Sequence, residues 1–279
     1  MQLPLIDTKD KEKESTPNPN LINSTPNPNS TPINKLNAPT PKSETPPNER
    51  PEFKWIVLGG SFLSLCAGFV NACSMLSIMA MTVSHNTGVT SRLAINIART
   101  NMSFLYQVFI LLGYVLGSML VGFFVKRDKF HYSRKCGMFM MLESLILIWA
   151  VSLYEDENKL GVVIVSYSMG LQNALFTNFS GAVVRTTHVT GLLTDIGIHF
   201  GHWVRHREKT KEFWRVQVLI PLFIGFVTGG IVGTLLFDYF GMKAMYFPAA
   251  VLFIAGAIWT AWRLKYQKNM AKAISTHFF

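Results

Sequence analysis

Residues 104–125 read FLYQVFILLGYVLGSMLVGFFV, an unbroken run without a charge, and residues 126–135 that follow read KRDKFHYSRK, with five Lys/Arg. A helix needs about 20 apolar residues to cross the hydrocarbon core of a bilayer, and a basic flank marks the cytoplasmic end of such a helix. These two adjoining stretches decide the fold class. They predict a polytopic, all-α membrane protein and set its orientation.

Five more apolar runs surround this one: Ile56–Met81, Cys136–Tyr154, Leu160–Ser180, Val216–Phe237 and Ala244–Trp262. Pro221 lies near the start of the fifth span and Pro248 inside the sixth. Trp55, Trp214, Trp259 and Trp262 fall near span ends, where amphipathic rings suit the interface. With 126–135 inside, the N-terminal tail is inside as well. The acidic loop Glu155-Asp156-Glu157 falls outside, and both 181–215 and the C-terminal end fall inside. This arrangement puts fifteen basic residues inside and four outside: Arg92, Arg99, Lys159 and Lys243. Thr82–Met102 and Ala182–His202 are moderately apolar but charged. Counting either as a span would expel a basic segment to the outside, so both are expected to be half-helices that dip into the protein or helices at its surface.

Residues 1–54 differ from the rest. They hold seven Lys/Arg against seven Asp/Glu, eleven of the thirteen prolines and eight asparagines, and Ser-Thr-Pro-Asn-Pro-Asn occurs at 15–20 and again at 24–29. Such a stretch cannot bury enough apolar surface to offset the entropy of ordering. A disordered cytoplasmic tail is expected, with the first span directing insertion. The whole +10 charge therefore lies in the membrane part, as positive-inside loops and not as a nucleic-acid surface. The basic, aromatic stretch Trp203–Arg215 is expected at the cytoplasmic face, against anionic lipid. Cys66, Cys73 and Cys136 form no CxxC pair and have no His at ligand spacing, so neither a disulfide framework nor a metal site is predicted. No nucleophile elbow, zinc-protease motif, phosphate loop or dinucleotide fingerprint is present, and no cofactor is expected.

An internal repeat organises the membrane part. Gly68-Phe-Val-Asn71-Ala72 returns 102 positions later as Gly170-Leu-Gln-Asn173-Ala174. Ser84-His85-Asn86-Thr87-Gly88 returns 103 positions later as Thr187-His188-Val189-Thr190-Gly191. The implied division is 1–54 tail, 55–159 first repeat, 160–265 second repeat and 266–279 C-terminal tail. Each repeat holds three spans. An odd number makes the second repeat enter from the opposite side, the inverted plan whose sites lie at the repeat interface.

Through these blocks the chain resembles the YoaK family of bacterial membrane proteins, also described as domain of unknown function 1275. The resemblance covers about 55–265 and rests on Ala67–Ala72, Val83–Gly88 and Arg185–Gly191, with Gly170-Leu171-Gln172-Asn173 upstream of the last. It implies a multi-pass protein of the bacterial inner membrane, without an established activity. Family members usually carry Asp where this chain has Asn71, and Asn where it has Val89. If that Asp is a proton or cation site, this chain lacks it.

The candidate site follows from the repeated motifs. His85, Thr87, Gly88, His188, Thr190 and Gly191 suit a non-helical break lining a cavity: imidazole both donates and accepts, Gly permits unusual backbone, and Thr satisfies freed backbone groups. The competing reading makes Ser84 and Thr187 simple N-caps. Asn71 and Asn173 sit inside apolar runs, where they either bond between helices or bind a polar ligand. Arg92 aligns with Asp195 across the repeats and forms a candidate charge pair. Glu143 is a lone carboxylate in the third span and a candidate proton relay. The expected partners are membrane lipid and a small solute or ion. The leading expectation is a gradient-driven or passive permease. An intramembrane enzyme using His85, His188 and Glu143 on a lipid-like substrate and a non-catalytic scaffold are the alternatives.

Overall fold

A computed structural model describes residues 53–77, 80–125, 134–155, 158–179, 185–206 and 214–277. Residues 1–52 of the Pro/Asn-rich tail and the basic segment 126–133 lie outside the described residues. The described chain forms α1 (Phe53–Leu76), α2 (Asn86–Ala98), α3 (Phe104–Phe124), α4 (Arg134–Glu155), α5 (Leu160–Phe179), α6 (Val189–His206), α7 (Trp214–Phe240) and α8 (Tyr246–His277), with a 3₁₀ turn at Gly241–Met245. No strand occurs among the described residues.

Five stretches are long and apolar enough to cross a membrane: Phe53–Leu76, Phe104–Phe124, Lys135–Tyr154, Leu160–Asn178 and Trp214–Tyr266. The last is 53 residues long and runs through α7, the 3₁₀ turn and much of α8. Gly241 breaks it with φ +57°, a left-handed conformation that glycine adopts without steric cost. Pro248 falls in the first turn of α8, where the missing N–H costs nothing. At 13 residues α2 is too short to span, and α6 is not among the five stretches. α8 continues past 265 to His277.

The helices turn apolar side chains outward and glycines inward, the reverse of a water-soluble bundle. On α3 the exposed residues are Leu105, Phe109, Leu112, Leu116, Met119 and Phe123, spaced three and four apart on one face. Gln107, Ile110, Gly113, Gly117 and Val121 form the buried face. On α8 the exposed face is Phe247, Val251, Ile254, Ile258 and Trp262. Continuous apolar faces of this size mark contact with lipid or a partner, and their extent here fits hydrocarbon.

Inward glycines let backbones touch. A side-chain carbon at Gly68 in α1 would fall on the Phe226 carbonyl in α7, and one at Gly229 in α7 on the Leu65 carbonyl in α1. The α3–α5 pair repeats this contact: Gly170 faces the Tyr114 carbonyl and Gly117 the Tyr167 carbonyl. Leu65 and Gly68 precede Tyr167 and Gly170 by 102 positions, and Tyr114 and Gly117 precede Phe226 and Gly229 by 112. Ser64 Oγ donates to the Leu222 carbonyl at 2.8 Å; Ser166 Oγ, at the matching position, donates to the Ile110 carbonyl at 2.9 Å. The short helices follow suit, α2 packing on α3 and α6 on α7. Between α4 and α8, Gly137 and Gly256 each face the other's carbonyl.

Candidate functional site: two polar breaks

Each repeated motif forms a helix break closed onto an asparagine. In the first, α1 ends at Leu76 and α2 starts at Asn86. Asn71 is 4% exposed, and its Oδ1 accepts a hydrogen bond from Ser84 Oγ at 3.1 Å. Among the described residues its Nδ2 reaches only Met75 Sδ, at 3.7 Å. Ala80 holds φ +45° in this segment, a left-handed conformation that costs an L-residue about 1–2 kcal/mol.

The second break is tied more fully. Asn173 is 3% exposed. Its Nδ2 donates to the Met169 carbonyl at 2.9 Å and to Thr187 Oγ1 at 2.8 Å. Its Oδ1 accepts from Thr186 Oγ1 at 3.2 Å and from the Thr187 amide at 3.3 Å. Ser64 Oγ also lies 2.9 Å from the Thr186 carbonyl and shares its single proton between this carbonyl and that of Leu222, which joins this break to α1. Gln172 Nε2 also donates to the Leu63 carbonyl on α1.

The capping alternative is therefore corrected. His85 stands at the N-cap of α2 and makes no side-chain cap bond, while Ser84 and Thr187 direct their hydroxyls to the asparagines. A buried amide offers these hydroxyls a partner shielded from water, and that outweighs a cap at an exposed helix end.

The two histidines diverge. His85 is half-buried and packs edge-on against Phe226, with ring centroids 5.6 Å apart. It lies outside the spanning stretches, and burial holds its imidazole below the ordinary pKa of 6.5. His188 is exposed, and its ring folds back over Gly191, where any Cβ would collide with Nδ1. Gly88 has open space in the same role, its nearest neighbour being Thr82 Oγ1 at 3.8 Å. Thr87 and Thr190 are exposed at the two helix starts; their carbonyls accept from Ser91 Oγ and Thr194 Oγ1, at 3.0 Å and 2.9 Å.

Arg92 and Asp195 do not meet. Arg92 is exposed and its guanidinium lies on Met81 Sδ at 3.2 Å. Among the described residues no ion pair joins it to Asp195, which is half-buried on α6. Glu143 is fully buried, and neither carboxyl oxygen has a hydrogen-bond partner among the described residues. Cys66 on α1 lies within its electrostatic reach. Ser144 Oγ, Ser168 Oγ and Gln172 Oε1 are likewise buried without partners. Among the described residues no group of three His, Cys, Asp or Glu is placed to hold a metal.

Ser64, Thr186 and Tyr114 belong to the site but carried no sequence signal of their own. The Tyr114 hydroxyl faces Thr187, with Arg185 within electrostatic reach. The matching position in the other half is Phe226, which meets His85 instead.

A family model for proteins of unknown function, DUF1275, matches residues 59–258. The chain belongs to DUF1275. The match takes in both asparagine clasps, Glu143 and all of α2 to α7, and it leaves the Pro/Asn-rich tail outside. No curated protein and no solved structure matches the chain.

Proposed function

We propose that this DUF1275 member is a permease for a small solute or ion, built as two inverted three-span repeats with its site where the two polar breaks meet the interior. The observation that carries this reading is the asparagine clasp, present once in each half at matching positions. A polar break at membrane depth is tolerated where it is buried in protein or lines a water-filled path, and transporter sites are built from such breaks.

Six spans follow if Trp214–Tyr266 counts as two. Its 53 residues would extend about 80 Å as one helix, against about 30 Å of hydrocarbon, and the 3₁₀ turn divides it. The α1–α7 and α3–α5 contacts exchange under the repeat, and α4–α8 maps onto itself; both support a twofold relation. The charge bias supports both termini in the cytoplasm, and the family resemblance supports a bacterial inner membrane. Fully buried Glu143 is the coupling group in this scheme. The enzyme reading needs His85, His188 and Glu143 to converge, and no hydrogen bond joins any two of them among the described residues.

The test is flux through liposomes holding the purified full chain. A saturable flux of one solute or ion class, lost in Asn71→Leu with Asn173→Leu, is expected. Folded protein that passes no class of small neutral solute, cation or anion sinks the permease. Thr87→Cys and Thr190→Cys, on a background without native cysteines, test the inversion separately. Labelling of both from the same side only would exclude it.

A further inference from the structure

A cavity of about 280 Å³ opens between α1, α4, α5 and α8. Its walls include Trp55, Phe62, Met140, Phe176 and Trp259, and among the described residues no charged or amide side chain lines it. Gly59 forms part of the wall, and a Cβ there would meet nothing within 4 Å. The cavity sits at one end of the bundle, since Trp55 lies in the first turn of α1 and Trp259 toward the end of the apolar part of α8.

The rim is aromatic and cationic. Trp262 lies 6.4 Å from Trp55 and 5.6 Å from Trp259, ring centroid to centroid. Arg263 lies over this shelf, its Cζ 5.8 Å from the Trp262 ring and 5.7 Å from the Tyr266 ring. Its Nε is buried without a hydrogen-bond partner among the described residues. Lys54 precedes Trp55 in the same first turn of α1 and is exposed. An unmet guanidinium donor beside an apolar slot asks for a ligand with an anionic oxygen at one end and hydrocarbon at the other. Aromatic residues hold such molecules at the headgroup level, and basic side chains on the cytoplasmic side attract anionic lipid.

We infer that this cavity holds one acyl chain of an anionic phospholipid from the adjoining leaflet, with its phosphate on Arg263 and Lys54. This lipid site is independent of the permease reading.

The test is native mass spectrometry of the full-length protein, incubated with equal phosphatidylglycerol and phosphatidylcholine and released from detergent. The unaltered protein is expected to retain phosphatidylglycerol in preference. Gly59→Leu fills the slot while improving helix propensity, and retention should fall at least about fivefold, as expected when a buried chain contact is lost. Gly122→Leu also adds a leucine in open space, on the exposed face of α3, and should leave retention unchanged. Lys54→Gln with Arg263→Gln should keep a bound lipid but lose the preference for phosphatidylglycerol. Equal loss in Gly59→Leu and Gly122→Leu, or none in either, overturns the proposal. So does retention without headgroup preference in the unaltered protein. A change of oligomeric mass in Gly59→Leu with lipid retention intact would assign the cavity to a second copy of the chain and overturn it as well.

Discussion

At the first break Asn71 holds a single hydroxyl, and His85 turns its edge to Phe226. At the second, Asn173 holds two threonine hydroxyls and a backbone amide, and His188 folds outward over Gly191. The helices around both are packed alike, glycine against carbonyl at matching positions. The difference teaches that backbone architecture and side-chain chemistry are specified separately in this molecule. Close helix contact needs only small residues in register. The closing of each break needs particular donors and acceptors, and these have diverged between the halves. Among the described residues Asn71 ties fewer groups than Asn173, and Ala80 adds strain to the first break.

The largest effect should leave the two halves equal. Gly229→Leu and Gly117→Leu each drive a side chain into a backbone carbonyl of the facing helix, Leu65 in one case and Tyr167 in the other. Backbone cannot give way as a side chain would, so each should cost about 3 kcal/mol or more. Thermal unfolding in detergent should show both variants severely destabilised. Tolerance of one and not the other would break the equivalence of the two helix pairs.

The next effect should separate the halves. Asn173→Leu leaves Thr186 Oγ1 and the Thr187 amide without their asparagine partner in a buried place, a loss of about 2–3 kcal/mol. Asn71→Leu strands only Ser84 Oγ and should cost about 1 kcal/mol. Equal losses in the same unfolding measurement would mean that the first break is held by contacts other than its asparagine.

The legible parts of the molecule were those set by length and spacing. A 22-residue run without charge, as at 104–125, has few alternatives to a span, and two motifs at nearly one offset predicted that both breaks would recur in each half. The runs Val216–Phe237 and Ala244–Trp262 both fall within the apolar stretch Trp214–Tyr266, but the 3₁₀ turn at Gly241–Met245 carried no signal that was read from the sequence. The clasps were not. Asn71 and Ser84 are thirteen residues apart, and the path of the chain between them decides that they meet. Nor was Tyr114 visible, since one tyrosine in an apolar run has no periodic signature. Pairing Arg92 with Asp195 assumed that aligned positions touch. Positions aligned in sequence need not be neighbours in space, and α2 and α6 pack on different helices, α3 and α7.

The smallest effect concerns the histidines and their pH dependence. Burial against Phe226 lowers the pKa of His85 in the folded protein from 6.5. The unfolded chain therefore binds a proton that the folded chain resists, and stability rises with pH across the window just below 6.5. Acidification from about pH 7.5 to about pH 5.5 spans that window, where an unperturbed histidine gains its charge. The His85 share of the resulting loss should be under about 1 kcal/mol, because the ring is only half-buried and solvent screens part of its charge. His85→Gln should reduce the acid-induced fall in unfolding temperature. If the fall were unchanged in His85→Gln, the half-buried ring would carry no part of the pH dependence, and the divergence of the breaks would stop at their asparagines.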